Sequence, residues 1–177
     1  MFKTILVAFD GSDHAKKALA FAADIAAKYK ARIVLLHALL RDAPPETIRK
    51  LANARALTKA QRELLDTYEI EPQLAAATTG MGGAFVPIPA PRELLEPIGR
   101  QILDRAEAVA KKAGVTKISR VMVSGDAGDA VLEEAKKQKA DMIVMGSRGF
   151  GDLKSLLLGS VSHKVAARAP CSVVTVK

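Results

Sequence analysis

Met142-Ile143-Val144-Met145-Gly146-Ser147-Arg148-Gly149, followed nine residues later by Gly159-Ser160, decides the reading of this chain. The first four residues are an unbroken apolar run of the length and composition of a buried strand. Glycines just past a strand let backbone N–H groups crowd around an anion with no Cβ in the way. A second Gly-Ser pair opening a helix adds orphan N–H donors and the positive end of a helix dipole. One glycine alone would read as a turn former. The whole spaced set after a strand points to phosphate, and two anion nests in one loop point to a polyphosphate.

Working outward, the same alternation of strand and helix recurs on both sides. Phe2 to Phe9 is almost continuously apolar, as in a strand buried on both faces. Asp10-Gly11-Ser12 follows, and Ser12 or Asp13 is placed to cap a helix. That helix carries Ala15, Ala18, Leu19, Ala22, Ile25 and Ala26 on one stripe. Lys28 and Lys30 stand at its C-terminal end, where cations are favoured. Ile33 to Leu39 reads as a second strand. Pro91 to Lys112 reads as a helix with Leu94, Leu95, Ile98, Ile102, Leu103, Ala106 and Val109 inward, and Gly114 as its C-cap. Ile118 to Val123 is a third strand. Ala127 to Lys137 is a helix with Ala127, Ala130, Val131 and Ala135 inward. Asp141 to Met145 is the fourth strand, Gly159 to Ala169 the last helix, ended by Pro170, and Ser172 to Val176 the fifth strand.

Residues 41–91 interrupt the rhythm. Pro44-Pro45 halts the chain after the second strand. Glu46 to Tyr68 is polar with helical spacing, so one helix is expected there. Gly80-Met81-Gly82-Gly83 and then Pro87, Pro89 and Pro91 make a loose stretch followed by a stiff one. Long irregular connections in compact domains are either used or disordered. The segment reads as an insertion within one domain spanning 1–177: a lid, a partner surface or a loop.

Strands alternating with helices imply an α/β fold with a parallel sheet covered on both faces. Ligands of such sheets bind outside the carboxyl ends of the strands, where strand order reverses. Asp10-Gly11-Ser12 and Gly146-Ser147-Arg148-Gly149 both lie just past strand ends. A single site between the first and fourth strands would use both.

Composition excludes several classes. Hydrophobic residues make up 49% of the 177, too many for a disordered chain. No apolar run approaches the ~20 residues that span a bilayer, so no membrane partner is expected. Met1 to Val7 leads straight into Asp10-Gly11-Ser12 and reads as a strand, not a signal peptide. The single cysteine, Cys171, forms no internal disulfide, which fits the reducing cytoplasm. The net charge is +8. Residues 147–177 carry Arg148, Lys154, Lys164, Arg168 and Lys177 against Asp152 alone, so half the excess lies around the glycine loop, a field suited to an anion. Aromatics are 4% with no stacking platform, which argues against nucleic acid.

These residues together resemble the universal stress protein family, in its nucleotide-binding branch. The resemblance is carried by Ile5-Leu6-Val7-Ala8-Phe9-Asp10-Gly11-Ser12, Leu36-His37-Ala38, Ser124-Gly125-Asp126-Ala127, and Gly-x2-Gly-x9-Gly-Ser with Val161-Ser162 behind it. It covers residues 1–40 and about 92–177. It implies a Rossmann- or flavodoxin-like sandwich with a five-stranded parallel sheet in the order 3-2-1-4-5. It also implies adenine near Ala8, Phe9, Asp10 and Ala38, with ribose beside Gly125 and Asp126. Met145, Gly146, Arg148, Gly149, Gly159, Ser160, Val161 and Ser162 would surround the phosphates and sugar. The ligand implied is ATP, with Mg²⁺ held mostly by phosphate oxygens, or else AMP or another adenine nucleotide. The family also implies a homodimer through Ser172 to Val176.

No catalytic residue is assigned. His14 and His163 lack Cys or carboxylate partners at metal-ligand spacing, so no dedicated metal site is expected. His37, at a strand end, reads as structural, and Cys171 as a small packed side chain. The favoured function is a nucleotide-binding stress or signalling module acting through dimerisation and protein partners. The alternative is a slow or partner-dependent ATPase, since no Gly-x4-Gly-Lys-Ser/Thr loop is present. A nucleotide-free interaction protein working through its insertion is a third possibility. An adenylate-forming or pyrophosphatase-type enzyme would show a Ser-Gly-Gly-type loop where Asp10-Gly11-Ser12-Asp13 stands.

Overall fold

A computed structural model describes residues 2–41, 45–52, 57–78, 89–149 and 158–177. The chain divides into two compact units, one of Met1–Leu39 with Arg100–Lys177, the other of Leu40–Gly99.

The first unit is built on five parallel strands: β1 (Thr4–Ala8), β2 (Arg32–Leu39), β3 (Ile118–Ser124), β4 (Met142–Gly146) and β5 (Ser172–Val176). They lie in the order β3-β2-β1-β4-β5, as the resemblance implies. β1, β2 and β4 are the central strands, and Ile5, Leu6, Val7, Ile33, Val34, Leu35, Ile143 and Val144 have no exposed surface. Side chains of a strand alternate between faces, so a strand covered on both sides is apolar throughout. The edge strands β3 and β5 are only half-buried.

Leu6, Val34, Leu36, Ile143 and Met145 form one core with Val131, Leu132 and Ala135 of α5 (Ala127–Lys137) and Val165 of α6 (Ser160–Arg168). The opposite face is covered by α1 (Asp13–Tyr29), which packs on β1, β4 and β5. The second half of α4 (Arg92–Lys112) lies over β3, where Arg120 pairs with Asp104 and with Glu107 at 3.2 Å.

Helix α1 starts because Ser12 adopts an extended conformation and its hydroxyl accepts the Ala15 N–H at 3.2 Å. Its buried stripe includes Ala23, while Ile25 is only half-buried. In α4 the inward stripe ends on Ala110, and Val109 is 47% exposed. Ala110 stands one i+4 step beyond Ala106, which keeps closer to 3.6 residues per turn than a run of i+3 steps. In α5 the buried positions are Gly128, Val131, Leu132, Glu134 and Ala135; Ala127 and Ala130 lie at the margin.

In the second unit the single helix expected over Glu46–Tyr68 is two, α2 (Pro45–Leu51) and α3 (Lys59–Thr78). The break is enforced at Thr58. Its hydroxyl accepts the Gln61 N–H at 3.2 Å, and Gln61 Oε1 accepts the Thr58 N–H at 2.9 Å, a reciprocal capping box. Gly80-Met81-Gly82-Gly83 and Pro87 lie outside the described residues. Ile48, Leu57, Leu65, Tyr68, Leu94 and Ile98 are buried.

Candidate functional site

The strand order reverses between β1 and β4: from β1 the sheet grows to β2 and β3, and from β4 to β5. Loops leaving these two neighbours diverge and leave a crevice at their carboxyl ends. Asp10 and Gly149 meet there. A Cβ on Gly149 would stand 2.6 Å from Asp10 Oδ2. The other Asp10 oxygen accepts the Ser12 N–H at 2.9 Å, which holds the carboxylate in an Asx-turn.

Ser147 joins the two glycine pairs. It is fully buried. Its N–H donates to Val176 O at 2.7 Å, and its carbonyl accepts the Gly159 N–H at 2.8 Å. The Ser162 hydroxyl is shared between Ser147 O at 2.8 Å and Gly159 O at 2.9 Å. Its proton is thereby committed to the backbone. Ser147 Oγ lies 3.0 Å from His14 Nδ1. Neither Ser147 nor His14 is among the expected ligand contacts. The signal was a small polar residue between two loop glycines, but its partners are remote in sequence.

The glycines differ in what they do. A Cβ on Gly146 would come within 2.9 Å of the Ala15 nitrogen and of the His14 carbonyl carbon and Cβ. Gly146 is therefore required by the approach of α1 to β4. Gly159 is different. Its φ of −72° and ψ of 164° suit any residue, and among the described residues its Cβ would meet nothing closer than 3.6 Å. It caps α6 without a side-chain hydrogen bond. The first amides of α6 are thus left without the oxygen that Ser, Thr, Asp or Asn would supply there. Ser160 is exposed, and Val161 packs on the α5/α6 core. Arg148 is half-buried, and its buried Nε has no hydrogen-bond partner among the described residues. Residues 150–157, which join the two glycine pairs, lie outside them.

On the other side of β1, Ala8 and Ala38 are half-buried and Phe9 is buried. His37 is 3% exposed, and its Nδ1 lies 2.9 Å from Phe9 O. A carbonyl only accepts, so Nδ1 carries the proton. Burial pushes the His37 pKa down, against the opposing pull of the Phe9 carbonyl and the Asp10 carboxylate. His37 is a structural group that fixes the strand end from which Asp10 emerges. Met145 has its side chain in the core.

Gly125 turns at a φ of 108° into Asp126, the N-cap of α5. The Asp126 carboxylate accepts the Asp129 N–H at 2.9 Å and pairs with Lys164 Nζ at 3.0 Å. The capping bond comes first, then Lys164, in holding its pKa below the usual carboxylate range. Lys164 also reaches Asp129 at 2.8 Å, and Arg168 lies 3.9 Å from the same carboxylate. This corrects the expectation of a positive field from residues 147–177, because α5 supplies carboxylates that oppose two of its cations. Among the described residues Arg148 is the cation at the loop itself. Among the described residues no group of three or more His, Cys, Asp or Glu side chains is placed to hold a metal.

The universal stress protein family model matches residues 1–177. The protein described as "universal stress protein in QAH/OAS sulfhydrylase 3′ region" of Thermus aquaticus is 35% identical over 181 residues, with both chains covered in full. Among solved structures, universal stress protein UspA from Lactobacillus plantarum superposes with a TM-score of 0.64 at 19% identity, covering 99% of this chain and 98% of its own. A universal stress protein in complex with cAMP superposes with a TM-score of 0.58 at 27% identity, covering 99% and 97%.

Proposed function

Since the chain belongs to the universal stress protein family, we propose that it binds an adenine nucleotide, ATP first, in the crevice between β1 and β4, as a stress or signalling module. The observation that carries this reading is the glycine cap of α6. Gly159 gives the first helix amides no capping side chain, although neither its backbone angles nor its packing among the described residues requires glycine. Beside it, Arg148 offers a buried N–H with no partner among the described residues. A phosphate would satisfy both needs, through helix N–H groups and a charge-assisted bond. The relative with cAMP supports adenine as the base.

The remaining assignments follow the same reading. Ala8, Phe9, Asp10 and Ala38 would border adenine, Gly125 and Asp126 the ribose. Met145, Gly146, Arg148, Gly149, Gly159, Ser160, Val161 and Ser162 would border the phosphates. A Mg²⁺ would ride on phosphate oxygens. We also place residues 41–91 as an insertion in one domain, and the protein in the cytoplasm as a dimer through β5.

Calorimetric titration with ATP, AMP and cAMP tests the reading. Gly159→Val should weaken ATP binding roughly tenfold or more, the loss of one or two bonds to a charged group. Its circular dichroism should match the parent. Absence of any adenine nucleotide binding, or equal affinity in the variant, would refute the site. A steady turnover assay addresses the alternative: rapid multiple turnover by the purified chain would replace the binder with an ATPase.

A further inference from the structure

A second surface lies at the opposite end of the sheet, where the strands begin. Lys117, Arg32 and Lys3 stand side by side there on three adjacent strands. The Ile33 N–H donates to Lys117 O at 2.9 Å, and the Arg32 N–H to Lys3 O at 2.8 Å. Neighbouring strands are roughly 4.8 Å apart, so the three residues form a row along this end of the sheet; by the register, Lys117 and Arg32 share one face and Lys3, one residue before the Arg32 partner Thr4, takes the other. Three helices end on the same face. α1 brings Lys28 and Lys30, α4 brings Lys111 and Lys112, and α5 brings Lys136, Lys137 and Lys139. The ends of α1 and α4 are close to each other, and the end of α5 is close to Arg32 of the row. A Cβ on Gly114, just past α4, would sit 3.8 Å from Ala27 Cβ of α1. Arg32 donates to Gln138 O at the end of α5, at 3.4 Å.

Cations at helix C-termini offset the helix dipole. With α6, which leads into β5 at the same end, four helices present about −0.5 charge each, well short of ten basic side chains. The nearby carboxylates do not close the gap. Asp141 accepts the Lys3 and Thr4 N–H groups, Glu107 pairs with Lys111 and Arg120, and buried Glu134 pairs with Lys137.

Two of the lysines stand where local structure disfavours them. Each helix ends in a left-handed residue. In α4 it is Gly114, at a φ of 91°. In α1 and α5 the same position is Lys30, at 55°, and Lys139, at 50°. A side chain there costs roughly 1–2 kcal/mol, which is why glycine usually takes it. The lysines add charge to this face against that preference. The face also carries an aromatic pair. Phe2 packs edge to face on Tyr29, with ring centroids 6.1 Å apart, and Tyr29 is 41% exposed between Lys28 and Lys30.

We propose that this face docks on an anionic phospholipid surface, with the lysines in the headgroup field and Phe2–Tyr29 at the interface. The chemistry favours lipid over nucleic acid. The cations are nine lysines and one arginine. Lysine is a hydrated point charge suited to a diffuse anionic surface, whereas arginine's fork is what base edges recruit bidentately. The edge-to-face rings are not a parallel platform for bases, but they suit a headgroup interface. Docking of this kind needs no spanning helix, and none of the described helices is long and apolar enough to span.

Sedimentation of the full chain with phosphatidylglycerol–phosphatidylcholine vesicles tests the proposal, with pure phosphatidylcholine vesicles and single-stranded polynucleotide as comparisons. Binding should require phosphatidylglycerol and weaken with salt. Lys3→Glu, Lys117→Glu and Lys136→Glu together should lower it about a hundredfold. Lys30→Gly with Lys139→Gly should lower vesicle binding while keeping or raising the thermal midpoint, which a purely structural role would not do. Tyr29→Ser should weaken it further without changing the salt dependence. Absence of vesicle binding, binding unaltered in the glycine variant, or binding of polynucleotide alone would each overturn the proposal.

Discussion

Replacing Gly146 with alanine puts a methyl group where α1 crosses the end of β4. The new Cβ would lie 2.9 Å from the Ala15 nitrogen, the His14 carbonyl carbon and His14 Cβ. Two of these atoms are backbone in the first turn of a helix, and no rotamer change moves them. Relief requires α1 to shift away from a sheet whose strands it covers with Ala15, Ala18, Leu19 and Ala22. Overpacking of this kind costs about 1–3 kcal/mol. For a chain of this size each kcal/mol lowers the thermal midpoint by about 2–4 °C. Gly159→Ala is the control, because among the described residues its Cβ would meet ordinary contacts no closer than 3.6 Å at an ordinary φ. Urea unfolding followed by far-ultraviolet circular dichroism measures both. The expected order is a large loss for Gly146→Ala and well under half of it for Gly159→Ala. Equal losses, or a larger loss for Gly159→Ala, would refute the division between a packing glycine and a ligand glycine.

Two further predictions concern pH and assembly. His37 is buried with its pKa below the ordinary value of about 6.5. The unfolded chain therefore binds more protons than the native one below that pH. The stability held by neutral His37 is complete above about 6.5 and lost as pH falls toward its folded pKa, at up to about 1.4 kcal/mol per pH unit. Urea midpoints measured downward from neutral pH should fall more steeply in the parent than in His37→Gln; identical slopes would remove His37 as the cause. Val174→Lys places a charge on the half-buried edge strand β5. Light scattering should show a dimer of the parent and its loss in the variant if the proposed interface is β5, and a dimeric variant would exclude β5.

The legible parts of the fold were those encoded over short distances. The apolar runs at Ile5-Leu6-Val7 and Met142-Ile143-Val144-Met145 mark buried strands because both faces are covered. The break between α2 and α3 was also local, in Thr58-x-x-Gln61, but the longer helical spacing around it masked the capping box. The candidate site was marked in the sequence by spaced glycines past two strand ends, which the fold brings to the β1/β4 crevice. The bonds that organise it were not. Ser147 meets His14 across 133 residues, and Lys164 meets Asp126 across 38, so neither partner can be read from neighbouring positions.

The sequence by itself determined the α/β class, the glycine loop and its place after β4, because hydrophobic period, turn residues and caps act within a few residues of one another. Only the tertiary structure decided which glycine serves packing and which leaves helix amides open, since that depends on what approaches each Cα from elsewhere. It also decided where the charge lies. The cations of residues 147–177 meet the carboxylates of α5. The lysines at the ends of α1, α4 and α5 gather at one end of the sheet, because a helix that leads into the next parallel strand must finish where that strand begins.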